Sequence, residues 1–107
     1  MLRDPDHFPR QVCFLAQQSS EKALKAILVL LEIDFPFTHD LDRLRDLVPQ
    51  GWEVKSRYPE LAELTIWAVE TRYPGAMPDV LTSDAEQALN VATGLYQTVA
   101  EDMQGRW

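Results

Sequence analysis

Nine residues in three separate blocks have side chains that can bind a phosphate or a charged partner. The first block supplies amides, a carboxylate and two ammonium groups, the second an imidazole beside a carboxylate, and the third a guanidinium beside a phenol. A guanidinium holds a phosphate through two parallel hydrogen bonds, and ammonium groups add positive charge. The candidate binding residues are Gln17, Gln18, Glu21, Lys22, Lys25, His39, Asp40, Arg72 and Tyr73.

The first block forms a row if it is helical. Gln17, Glu21 and Lys25 are four residues apart, so they share one helix face, with Gln18 and Lys22 beside them. Glu21 followed by Lys25 is also the favourable order for a helical ion pair, worth about a few tenths of a kcal/mol. Two interpretations are open: the row is a solvated helix face, or it is a polar binding site.

The other candidates also have structural interpretations. His39 lies at the expected start of a helix, where it could bind a phosphate because helix N-termini favour anions, or cap nearby backbone. Arg72 lies near an expected helix C-terminus, where the dipole alone favours a cation. Tyr73, followed by Pro74, can simply end and pack that helix. For each of these residues, both a binding role and a structural role remain open.

A long helix is expected to carry the first block. Residues 12–33 contain neither Gly nor Pro, which predicts a helix of roughly six turns. Its apolar residues recur at three- and four-residue steps, so we expect them to pack inward. They are Val12, Leu15, Ala16, Ala23, Ala26, Ile27, Leu30 and Leu31.

Two shorter helices are expected next. The second helix should begin at a cap on Thr38 or Asp40 and end at Pro49. The third should open at Pro59, because proline is tolerated in a first helical turn. Residues 51–58, between these helices, show little periodicity. The inner face of the second helix is predicted to be Leu41, Leu44, Leu47 and Val48.

The last helix is the clearest amphipathic segment. Ser83 and Glu86 have the spacing of a capping box. The inner stripe that follows is predicted to be Ala85, Ala88, Leu89, Ala92, Leu95, Tyr96, Val99 and Met103. No alternating strand pattern competes with these helices, so the expected fold is all-α: a single domain over residues 1–107, built as an up-and-down four-helix bundle.

Composition narrows the function classes. The 107 residues are 46% apolar, enough for a core without disulfides or a metal, and the net charge of −7 argues against broad attachment to nucleic acid or anionic membrane. Cys13 is the only cysteine, which suits a reducing cytoplasm. The longest apolar run, residues 26–31, is too short to span a bilayer. We therefore expect a cytoplasmic protein with no membrane partner, no cofactor and no metal site.

Three blocks of the sequence resemble those of a known protein family. They are Cys-Phe-Leu-Ala-Gln-Gln-Ser-Ser-Glu-Lys-Ala-Leu-Lys-Ala at 13–26, Phe-Pro-Phe-Thr-His-Asp-Leu at 35–41 and Glu-Thr-Arg-Tyr-Pro-Gly at 70–75. Their order and spacing resemble the HEPN domain family of prokaryotes over about residues 9 to 103. The resemblance implies a helical bundle that commonly dimerises and is often encoded beside a minimal nucleotidyltransferase in a toxin–antitoxin-like pair. Relatives usually have another helix before the one that carries the first block, and this preceding helix is expected to be short or missing here.

Some members of that family are metal-independent ribonucleases, in which an Arg is followed after four to six residues by a His. There the Arg would hold phosphate and the His would move protons. This chain departs from that pattern: its histidines are His7 and His39 only, and neither follows an Arg at the required distance. No residue is therefore an obvious general acid or base, and no catalytic activity is expected of the chain alone.

The resemblance implies an accessory subunit that dimerises and binds a nucleotide, a minimal nucleotidyltransferase, or both. The expected patch comprises Gln17, Glu21, Lys25, His39 and Arg72. Two alternatives stay open. One is a ribonuclease toxin with an altered site that uses His39 and Arg72 on RNA without metal, and the other is a purely structural dimerisation module.

Overall fold

The computed structural model describes residues 7–68 and 80–104, and every regular element within these ranges is helical. Two long helices pack against each other, and three short helices pack against this pair. The prediction of an all-α helical fold is confirmed. The helices are α1 (His7–Leu30), α2 (Leu41–Leu47), α3 (Glu53–Arg57), α4 (Ala62–Thr65) and α5 (Thr82–Gln104), with a 3₁₀ turn (Ile66–Ala68) after α4.

Helix α1 ends earlier than its composition predicts. The last helical residue is Leu30, and Glu32 has a φ of 57°. The amide of Ile33 donates to the carbonyl of Leu28 at 2.8 Å, and that of Glu32 donates to the carbonyl of Val29 at 3.1 Å. These two bonds are the Schellman motif, which satisfies the last carbonyls of a helix. The chain therefore turns at Glu32, and the expected extension to residue 33 was wrong.

The apolar stripe of α1 differs from the prediction. Ala16, Ala23 and Ile27 are buried as expected, whereas Leu15 is 62% exposed and Ala26 is exposed. Helix α1 contacts α5 on one side and α2, α4 and the 3₁₀ turn on another. Because neighbours lie on two sides, the buried surface is wide and is rotated away from Leu15. The buried surface of α1 also includes Cys13, Gln17, Ser20, Glu21, Leu24 and Leu28.

Helix α5 shows the same kind of difference. Leu95 and Val99 are buried as predicted, together with Ala85, Ala88 and Ala92. Leu89 and Tyr96 are 53% and 61% exposed, so their expected inward packing was wrong. Among the residues that the structure describes, the buried side chains of α5 form a narrow stripe that faces α1 and the short helices.

The caps of two helices follow from local sequence. Asp40 caps α2, because its Oδ1 accepts hydrogen bonds from the amides of Asp42 at 3.0 Å and Arg43 at 3.3 Å. Helix α5 begins at Thr82, and Asp84 Oδ2 accepts the Leu81 amide at 2.9 Å. Asp84 therefore makes the side-chain bond at this end, and the predicted capping box at residues 83 and 86 was wrong, because the observed bond joins residues 81 and 84, two positions earlier.

The segment between α2 and α4 contains a helix that periodicity does not predict. Helix α3 is one short turn, preceded by Trp52, which is 5% exposed and belongs to the core. Arg45 ties this region together: it donates to Asp42 and to the Tyr58 carbonyl at 2.8 Å. The expected third helix is represented by α4 and the 3₁₀ turn.

Candidate functional site

A buried carboxylate lies at the centre of a polar cluster. Glu21 projects from α1, and its side chain is 8% exposed. Its Oε2 accepts a hydrogen bond from Lys25 Nζ at 2.8 Å. Its Oε1 accepts Gln17 Nε2 at 3.1 Å and lies 2.8 Å from His39 Nδ1. One glutamate thus joins three side chains, two from α1 and one from the connection to α2.

Gln17 holds the same connection through its backbone. Its side chain is fully buried, and Nε2 also donates to the carbonyl oxygen of His39 at 3.1 Å. Its Oε1 accepts Gln18 Nε2 at 2.7 Å. Gln17 and Glu21 therefore fix both the main chain and the ring of His39, which rigidifies this segment because buried polar groups require their partners.

The protonation state of Glu21 follows from its surroundings. Burial raises the pKa of the carboxyl, but the hydrogen bonds from Lys25, His39 and Gln17 outweigh burial and leave the pKa below that of an ordinary glutamate. Glu21 is therefore ionised at neutral pH. An ionised carboxylate only accepts hydrogen bonds, so His39 Nδ1 must be the donor in the 2.8 Å contact.

This arrangement determines which nitrogen of His39 can act. The imidazole is 53% exposed. Because Nδ1 is committed to Glu21, the neutral ring carries its lone pair on Nε2, and the protonated ring donates from Nε2. A carboxylate that fixes the tautomer and orientation of a histidine is the arrangement used in acid–base catalysis. His39 can therefore bind an anion when protonated and accept a proton when neutral.

Lys25 balances the charge of Glu21 at the cluster's edge. The i,i+4 pair predicted from the sequence is present, and the Lys25 side chain is 26% exposed. Lys25 Nζ also lies 5.7 Å from the centroid of the Phe35 ring, within the range of a cation–π interaction. The connection between α1 and α2 thus packs back onto the polar row of α1.

The solvated-face interpretation of the row is wrong for its first two members. Gln17 is fully buried and Glu21 is 6% exposed. The connection at residues 31–40 covers them through its contacts with His39. Only Lys25 remains partly in solvent, so the row is a built polar cluster.

The structure brings together five of the nine candidate residues: Gln17, Gln18, Glu21, Lys25 and His39. Asp40 lies beside them but uses Oδ1 to cap α2, and Lys22 lies exposed on α1. Arg72 and Tyr73 lie outside the described residues, so their roles stay predictions.

One residue at the site was missed by sequence reasoning. Phe37 is 95% exposed, and its ring centroid lies 6.0 Å from that of His39 at an interplanar angle of 67°. The signal was present as an aromatic residue two positions before the histidine. Its importance depends on full exposure, which a pattern of residue types does not give.

The described ranges contain neither a candidate metal site nor a reactive thiol. Residues 7–68 and 80–104 contain no group of three or more His, Cys, Asp or Glu side chains placed to hold a metal ion. Cys13 is buried, and burial together with the nearby charge of Asp84 raises the pKa of its thiol. A neutral buried thiol is a poor nucleophile.

Within the same ranges, no helix has the length and apolar character needed to cross a membrane.

Comparison with known proteins gives one family match. The family model described as HEPN domain matches residues 5–103. No curated protein and no solved structure matches the chain. The matched range includes all of α1, α5 except its last residue, and the whole polar cluster.

Proposed function

The chain belongs to the HEPN domain family, and we propose that it is an accessory subunit that forms a homodimer and binds a nucleotide, a minimal nucleotidyltransferase, or both. The observation that carries this proposal is the buried Glu21 carboxylate holding His39 and Lys25. The cellular role that follows is a toxin–antitoxin-like pair in the cytoplasm.

Phosphate is the part of a nucleotide that fits this cluster. Lys25 supplies a fixed ammonium, and His39 supplies a donor at Nε2 when protonated. Glu21 is less exposed than either partner, with side-chain exposures of 8%, 26% and 53% for Glu21, Lys25 and His39. An incoming anion therefore meets the two nitrogen-bearing side chains before the carboxylate. Arg72 remains a proposed further phosphate ligand.

An uncharged apolar face supports the homodimer. HEPN domains commonly dimerise. Leu15, Leu89 and Tyr96 are all more than half exposed and line a groove of about 410 Å³ between α1 and α5. None of the residues that line it is charged: Val12, Leu15, Ala16, Ser19, Leu89, Ala92, Thr93 and Tyr96. Two chains that each carry a net charge of −7 can meet on such a face with little like-charge repulsion, and a two-fold interface uses the same patch twice.

Thermal denaturation with nucleotide tests the binding role. A ligand that binds only the native state raises the unfolding temperature by mass action. We expect ATP in EDTA to stabilise the wild type, and His39→Ala and Lys25→Ala to reduce this shift. Arg57→Ala is the matched control, because it removes a 56% exposed cation on α3. No shift with any nucleotide would contradict nucleotide binding and leave a structural dimerisation module or a nucleotidyltransferase-binding subunit.

A second candidate function is metal-independent RNA cleavage, favoured by the 2.8 Å contact between Glu21 and His39. In this function Nε2 of His39 would take a proton from the attacking ribose 2′-hydroxyl or give one to the leaving oxygen. The test is cleavage of a mixed RNA pool in EDTA by the wild type, His39→Ala and Arg72→Ala. Activity lost in both variants would support it, and no cleavage by the wild type would exclude it for this chain.

A further inference from the structure

Phe37 occupies an unusual place for a large apolar residue. It is 95% exposed, the highest value among the large exposed apolar residues of the described ranges. Its segment is anchored on both sides: Ile33 bonds to the end of α1 at 2.8 Å, and the His39 carbonyl accepts Gln17 at 3.1 Å. The ring is therefore presented to solvent by a segment that is held in place.

The neighbours of Phe37 are polar and nitrogen-bearing. The ring centroids of Phe37 and His39 lie 6.0 Å apart. Lys25, on α1, contacts the ring of Phe35, which belongs to the same connecting segment as Phe37. An isolated exposed apolar residue needs no explanation. An exposed aromatic face next to groups that can bind a phosphate matches a ligand that is aromatic at one end and anionic at the other.

We propose that Phe37 is the stacking platform for the base of a nucleotide unit whose phosphate lies beside His39 and Lys25. This inference rests on the proposed nucleotide-binding function and assigns the base subsite of that same site. One ribose separates a base from its 5′-phosphate, which suits the short distance between the Phe37 and His39 rings. Proteins use phenylalanine in this way because every base has a π-face.

The platform has a consequence for selectivity. Stacking tolerates all bases, and Phe37 has no hydrogen-bonding group with which to read a base edge. The site is therefore expected to prefer ligands that carry both a base and a phosphate over ligands that carry only one of them. A free nucleotide and the nucleotides of a single-stranded RNA share this unit.

Calorimetric titration of the full chain in EDTA tests the inference. The probes are ATP, inorganic tripolyphosphate and a short single-stranded RNA, and the variants are Phe37→Ala, Phe37→Trp, His39→Ala and Val29→Ala. Phe37→Ala should weaken ATP binding roughly ten- to a hundredfold, which is the usual range for losing a stacked base. It should leave tripolyphosphate binding unchanged. Phe37→Trp should retain ATP binding, and Val29→Ala, at a 65% exposed apolar residue of α1, should have no effect.

The outcomes separate this inference from the function on which it rests. If Phe37→Ala binds ATP and RNA as tightly as the wild type while His39→Ala does not, the platform is overturned and the phosphate site stands. If the wild type binds neither ATP nor RNA, the nucleotide-binding function and the platform are both overturned. A wild type that binds RNA but not ATP, with RNA binding lost in Phe37→Ala, supports the platform and identifies single-stranded RNA as the ligand.

Discussion

Glu21 Oε1 and His39 Nδ1 lie 2.8 Å apart although the two residues are 18 positions apart in the chain. The contact crosses from the middle of α1 to the residue just before the cap of α2. It orients the imidazole, and it compensates the burial of a carboxylate that would otherwise be costly. The same pair therefore serves both the stability of the domain and the candidate site.

Glu21→Gln should lower the free energy of unfolding at pH 7 by about 1–3 kcal/mol, because charged hydrogen bonds inside the cluster are lost. The pKa of Glu21 is lowered on folding, so its ionised form stabilises the native state above the unfolded pKa of roughly 4.3. That contribution is lost as the pH falls through the lower folded pKa. The measurement is urea unfolding of wild type and variant from pH 7 downwards.

The difference between wild type and Glu21→Gln is the informative quantity in that experiment, because 17 acidic residues affect the absolute curve. It should shrink on acidification. Glu86→Gln, at an exposed position of α5, should give a small difference at every pH. A Glu21→Gln difference that stays constant down to the lowest pH would mean that ionisation of Glu21 does not stabilise the fold.

Gln17→Leu should lower the free energy of unfolding by about 1–3 kcal/mol despite its similar size, because it removes the donor to the buried Glu21 carboxylate and to the part-buried His39 carbonyl. Gln17 Nε2 has two acceptors, Glu21 and the His39 carbonyl, whereas Gln18 contacts only the Gln17 side chain within the cluster. Gln18→Leu is therefore the matched control and should cost less. Urea unfolding at pH 7 compares the two, and equal losses would show that Gln17 does not anchor the connection.

Local signals in the sequence predicted local structure well. The cap at Asp40 and the ion pair of Glu21 with Lys25 depend on residues two to four positions apart, and both are present. Leu15 was expected inside because the helical period gives a stripe but not which direction that stripe faces. Its direction is set by α5 and the short helices, which are distant in sequence.

The polar cluster was predicted only as a row on α1. Its burial depends on the connection at residues 31–40 packing back, with His39 bonded to Gln17 and Glu21. Such a contact is decided by the turn at Glu32 and by the cap of α2 acting together. The periodicity of α1 contains no information about it, so a solvated face and a built site could not be separated from the sequence.

Glu32→Gly should stabilise the fold by about 0.5–1 kcal/mol. A φ of 57° is unfavourable for a residue with a Cβ, and glycine removes that cost while losing part of the gain through its greater freedom in the unfolded chain. Thermal unfolding should therefore shift upwards. Asp34→Gly, at another exposed position of the same connection, should not stabilise. A lower unfolding temperature for Glu32→Gly would contradict the left-handed turn at this position.

Leu15→Glu should convert a wild-type homodimer into a folded monomer. The substitution places a charge in the apolar groove between α1 and α5, and two-fold symmetry would bring two such charges into one interface. Light scattering at several protein concentrations gives the mass, and circular dichroism checks that the helices remain.

Val29→Glu is the matched control: Val29 is 65% exposed on the same helix, but it does not line the groove. This variant should stay dimeric. A monomeric wild type at high concentration would contradict the homodimer, and a dimeric Leu15→Glu would place the interface on another face.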